Sequence, residues 1–245
     1  MKRLNWYVLL GAALLGLSVI AYLVQIAIFR RTADTFFYML QDLAFVPIQI
    51  LIVTLILNSL LARREKQAML KKMEMAIGAF FTEVGTALLG SLAQFDGHDA
   101  AMTQAITSND WSARGFERVG KYVREHDYQI DSQRGDLVQL KALLLDKRTF
   151  MLRLLENPNL LEHESFTDLL LATFHLTEEL ALRADLRHLP KADYNHLSTD
   201  IKRAYVLLIA EWLAYVKHLR ANYPYIFSLM VRTNPFDTNV SPIFQ

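Results

Sequence analysis

His175, Glu178 and Glu179 are the residues whose types and spacing come nearest to a chemical function. On a helix, spacings of three and four place an imidazole and carboxylates on one turn, as a metal site or an acid–base pair requires. Di-iron carboxylate bundles carry Glu-x-x-His pairs on two helices and further glutamates on two others. Here the order is His-x-x-Glu, and it occurs once. Glu211 and His218, two turns apart on the next long helix, are placed to face it. A surface histidine beside solvated acids has the same spacing, so these three residues are metal candidates only, and the sequence assigns no metal or other cofactor.

Other histidine–acid neighbours are weaker. Asp185 with His188, and Glu162-His163-Glu164, sit beside a proline or a helix start, where polar residues are expected. The chain has no cysteine, which excludes disulfides, thiolate ligands and cysteine nucleophiles. It has no Gly-rich phosphate loop, no His-Glu-x-x-His and no nucleophile elbow. No catalytic residue is assigned, and the sequence points away from an enzyme.

A second group of polar residues lies in apolar surroundings. Asp42 and Gln49 are seven residues apart, on nearly one face of a helix, with Gln25 and Gln41 at similar depth. An ionisable residue within a membrane span is a functional candidate by default. A polar seam at Gln25, Asp42 and Gln49 would line an ion path in an oligomer. Alternatively, Asp42 is an interfacial residue, wet or paired with Arg30 or Arg31.

The elements that position these residues begin with two apolar stretches. Trp6–Phe29 carries no charge and exceeds the roughly 20 helical residues that cross a hydrocarbon core. Met1-Lys2-Arg3 resembles a signal-peptide n-region, but the apolar run is long and no small-x-small site follows, so an uncleaved anchor is expected. The second span lies at about 40–62, and Arg63, Arg64, Lys66, Lys71 and Lys72 follow it. Basic residues near span ends favour the cytoplasmic side. Both termini are therefore expected inside, with a short outer loop at Arg30–Thr35. Gly11, Ala12 and Gly16 allow close approach of another helix backbone. Pro47 removes a backbone donor and should bend the second helix.

No proline or glycine interrupts Ile48–Ile77, so the second span should continue as a stalk over residues 63–96. Apolar residues at 73, 77, 80, 84, 88 and 92 define one helical face. Gly78 and Gly85 form a small-residue strip elsewhere on that helix. Met75–Phe95 holds a single charge, Glu83, and is long enough to be read as a third span. A charge near mid-bilayer costs about 2.5 kcal/mol or more, so a buried helix of a water-soluble domain is preferred.

Residues 97–233 read as a helical domain and 234–245 as a loosely ordered tail. Trp111–Val123, Leu137–Leu155, Phe166–Leu186, Asp200–Tyr223 and Tyr225–Arg232 have helical patterning, and strand-like alternation is absent. Asp131–Gly135 reads as a helix start, Ser165 with Asp168 as a capping pair, and Pro190 as a stop. Trp212, Tyr215, Tyr223, Tyr225 and Phe227 are expected core aromatics. The fold class is all-α, a two-helix transmembrane hairpin followed by a cytoplasmic bundle.

Four of the 26 basic residues and two of the 25 acidic ones lie in residues 1–62, which leaves the rest close to neutral. A nucleic-acid binder would show a basic stripe, so nucleic acid is not an expected partner. The expected partners are the lipid bilayer, further copies of the chain and a cytoplasmic protein. The expected role is a membrane-anchored interaction or sensor protein. A channel or transport component and a metal-dependent enzyme are the alternatives.

Asp42–Asn58 (DLAFVPIQILIVTLILN), Ala76–Gly85 (AIGAFFTEVG) and Asn222–Phe236 (NYPYIFSLMVRTNPF) together resemble uncharacterised bacterial proteins with the same hairpin-plus-domain plan. The resemblance spans most of the chain. It implies an inner-membrane location and brings no activity and no functional residues.

Overall fold

A computed structural model describes residues 2–97 and 111–236. Residues 98–110 and most of the expected tail lie outside the described residues. The chain divides into two compact units, Met1–Lys66 and Gln67–Gln245. Residues 67–96 group with the second unit.

In the first unit, α1 spans Lys2–Phe29 and α2 begins at Thr32. The connection is shorter than the expected Arg30–Thr35 loop and consists of Arg30 and Arg31 alone. Arg30 adopts φ 51°, a left-handed helix terminus, and its N–H donates to the Ile26 carbonyl at 2.9 Å. Thr35 then caps the turn, its hydroxyl donating to the Arg31 carbonyl at 3.1 Å. Val8–Phe29 is apolar over 22 residues, about 33 Å at 1.5 Å per residue. Among the described residues, nearly every large apolar side chain of α1 and the first half of α2 is exposed.

The helix α2 runs unbroken from Thr32 to Phe80, with Pro47 inside it. A π-helical turn over Phe81–Gly85 follows, and α3 covers Thr86–Ala93. The Thr86 hydroxyl donates to the Phe81 carbonyl five residues back at 2.9 Å, which serves the widened turn.

In the second unit, Phe80, Phe81, Val84, Leu88, Leu89, Leu92 and Phe95 are fully buried, while Glu83 points to solvent. Core burial accounts for the apolarity of Met75–Phe95, and the one charge has water. Among the described residues, the helices that follow are α4 (Ala113–Glu125), α5 (Leu137–Leu155), α6 (Glu164–Leu182), α7 (Lys191–Asn222) and α8 (Pro224–Arg232). The long α7 is the central element and packs against α3, α4, α6 and α8. Among the described residues there is no strand, only an isolated bridge between Asp96 and Ile130.

Several boundaries differ from the expected ones, each for a local reason. Asp136, not the preceding turn, caps α5 by accepting from the Val138 and Gln139 N–H groups. His163 caps α6 in place of Ser165, its Nδ1 accepting from the Phe166 N–H at 3.2 Å. The same helix stops at Leu182, four residues early. Lys141 from α5 donates to the carbonyls of Ala181 and Arg183 at 3.3 and 2.8 Å, which satisfies helix-end acceptors. Pro190 starts α7 rather than ending a helix, because proline is tolerated where no intrahelical N–H bond is needed. The start of the expected tail is ordered: Asn234 and Phe236 are buried, and the Phe236 ring meets Trp212 at 5.4 Å.

Candidate metal centre on α6 and α7

The early start of α7 decides the site. It places His196 and Asp200 one turn apart on a regular helix, opposite His175 and Glu179, also one turn apart on α6. Contacts run in reverse chain order, 175 to 200, 179 to 196 and 183 to 193, so the two helices are antiparallel here. His175 Nε2 lies 3.5 Å from Asp200 Oδ2 and 3.9 Å from Glu179 Oε1. His196 Nε2 lies 3.3 Å from Asp200 Oδ2 and 3.5 Å from Glu179 Oε2.

Asp200 is the buried member, 3% exposed, while both histidines are about half exposed. Arg203 donates to Asp200 Oδ1 at 3.1 Å. Asp200 Oδ2 has no hydrogen-bond donor although it is buried. Glu179 and Asp193 are joined by Arg183, whose guanidinium lies 2.7 Å from Glu179 Oε2 and 2.6 Å from Asp193 Oδ1. The hydrogen bond from Arg183 holds the Glu179 carboxyl below the usual carboxylate range, with the nearby histidines adding to the effect. The same guanidinium lowers Asp193. The site therefore offers two imidazoles, a buried carboxylate oxygen without a donor, and a second carboxylate fixed by an arginine.

The residues expected from sequence divide. His175 and Glu179 enter the cluster, and Glu178 does not: it turns to Arg148 of α5, at 2.8 Å. Glu211 and His218 do not face His175. They line a separate cavity of about 190 Å³ with Glu74 and His163, where His218 Nδ1 is 3.4 Å from Glu74. Asp185 and His188 pair on the surface at 2.9 Å. A helix beginning at 200 leaves His196 in a connection and hides its pairing with Asp200. Reading Pro190 as a helix start, with Asp193 in the first turn, would have exposed a His-x-x-x-Asp turn matching His175-x-x-x-Glu179.

In the first unit, Arg31 pairs with Asp34 at 3.4 Å rather than with Asp42. The Tyr22 hydroxyl donates to Asp42 Oδ2 at 3.4 Å instead. Gln25 is half-buried and Gln49 is exposed. Around Gly11 and Gly16 there is open space, and Ala12 is exposed. Gly78 and Gly85 form no open strip. A Cβ on Gly78 would lie 3.3 Å from the Tyr215 hydroxyl, and Gly85 is covered by the rings of Phe80 and Phe81.

Comparison with known proteins gives a family but no activity. Residues 2–61 match a family model described as MJ1433, N-terminal helical domain. Residues 69–232 match one described as Uncharacterized protein MJ1433, C-terminal helical domain. The chain is 44% identical over 237 residues to the Uncharacterized protein MJ1433 of Methanocaldococcus jannaschii, covering 97% of this chain and 96% of that protein. No solved structure matches. The relative is archaeal, so it does not support the bacterial origin that the resemblance implied. With both its helical units matched in order, the chain belongs to the MJ1433 family.

Proposed function

We propose that the protein is a non-enzymatic, membrane-anchored interaction or sensor protein, in which an N-terminal hairpin holds a helical domain at the cytoplasmic face. The observation that carries this reading is the contrast between the units. The apolar side chains of α1 and the first half of α2 are exposed all round, whereas the second unit buries its own apolar residues in a continuous core. Exposed apolar surface of that extent is not tolerated in water and suits lipid or a partner helix. The basic cluster Arg63, Arg64 and Lys66 supports cytoplasmic termini. The open surface at Gly11, Ala12 and Gly16 suits self-association of the hairpin.

The absence of cysteine makes the topology directly testable. Single cysteines at Arg31 and at the exposed Asp146 would be probed with a membrane-impermeant thiol reagent in intact cells. Labelling at 31, protection at 146 and retention in the membrane after alkaline carbonate extraction are expected. Release by carbonate, or labelling at 146, would overturn the reading. Crosslinking in the membrane would reveal the copy number or the partner.

A further inference from the structure

We propose that His175, His196 and Asp200 form a binding site for a divalent transition-metal ion of the zinc class, with Glu179 and Arg203 positioning the ligands. This assignment does not depend on how the hairpin is disposed in a membrane. Three ligand atoms, His175 Nε2, His196 Nε2 and Asp200 Oδ2, all lie within 4.8 Å of one another. A tetrahedral ion with bonds of about 2.0–2.2 Å holds its ligand atoms roughly 3.3–3.5 Å apart. The two histidine–aspartate separations, 3.5 and 3.3 Å, match that spacing.

The chemistry of the donors agrees with the geometry. Both imidazoles present Nε2, so a proton on Nδ1 leaves the lone pair directed at the ion. Asp200 Oδ2 is buried and accepts no hydrogen bond, a costly state for a carboxylate oxygen that an ion would relieve. Its other oxygen is held by Arg203, which fixes the orientation of the free one. Glu179, fixed by Arg183, contacts both imidazole rings and completes the charge around the ion. Two nitrogens with hard oxygens and no thiolate favour zinc-class ions over copper(I). Three protein ligands with half-exposed histidines leave a fourth position open to water or a small anion.

The test uses full-length protein in detergent, stripped with a chelator and then titrated separately with Zn²⁺ and Co²⁺. One equivalent of either ion should bind, and the Co²⁺ form should show the intense visible absorption of a four-coordinate site. His175→Ala, His196→Ala and Asp200→Asn should each weaken binding by about 100-fold or more. Glu178→Gln, whose side chain faces Arg148, should leave it unchanged. The histidine variants remove half-exposed side chains, and circular dichroism checks that their helix content is kept. No stoichiometric metal in the unaltered protein would overturn the assignment. So would unchanged binding in both histidine variants, or a six-coordinate Co²⁺ spectrum.

Discussion

Arg183 organises the surroundings of the candidate centre more than any other side chain. It is only 17% exposed and joins Glu179 on α6 to Asp193 on α7 through charge-assisted hydrogen bonds. Arg183→Ala should lower stability by about 2 kcal/mol, read as a shift in the urea midpoint. A pH dependence follows from Asp193, whose carboxyl the guanidinium holds below its ordinary value of 3.8. A depressed carboxylate adds stability that is fully present above its unfolded value and is lost as pH falls through the folded one. In metal-free protein, the gap between the parent and Arg183→Ala midpoints should be constant from pH 7 to about 5 and narrow below about pH 4. A gap unchanged down to pH 3 would show that Arg183 acts by packing alone.

At the scale of elements, the π-helical turn and the start of α7 matter most. Gly85 closes the π turn where a Cβ would approach the Phe81 ring to 2.6 Å and the Phe80 ring to 2.9 Å. Those rings are fully buried, and Phe81 stacks on Tyr215 at 4.9 Å, so they have no room to move. Gly85→Ala should therefore destabilise the domain by about 1–3 kcal/mol in thermal melts, despite alanine's higher helix propensity. The start of α7 shows how a single boundary governs a site. Nine residues read as a connection become 2.5 turns of helix, and His196 moves from a loop to a position facing His175. Helix existence and period were legible: Leu137–Leu155 agrees with its expected bounds, and Trp111–Val123 is shifted by two residues. The ends were less legible because caps came from residues distant in sequence or of unusual type, Lys141 for α6 and Pro190 for α7.

At the scale of the whole molecule, the two units differ in how they expose apolar side chains. The second unit has an apolar core covered by polar faces, and the first exposes its apolar side chains on every side. If lipid is the solvent of the first unit, a charge in its middle is costly. Ile50→Lys should lower the membrane-integrated fraction, consistent with a cost of about 2.5–3.5 kcal/mol at the bilayer centre. The conservative Ile50→Leu should not, and equal integration of the two variants would point to a hairpin buried against protein instead.

The sequence by itself determined the helical class, the two apolar helices, and the amphipathic face from Met73 to Leu92. Those properties are local: they depend on period and hydropathy, which a window of neighbouring residues carries. It also brought His175 and Glu179 to notice, because a helical turn is a local relation. Only the tertiary structure decided that Glu178 turns away to Arg148, that Glu211 and His218 belong to another cavity, and that His196 and Asp200 complete the cluster. A donor set drawn from two antiparallel helices depends on where each helix begins and how the pair is registered. That register comes from packing and from the Arg183 bridge, and no single stretch of chain encodes it.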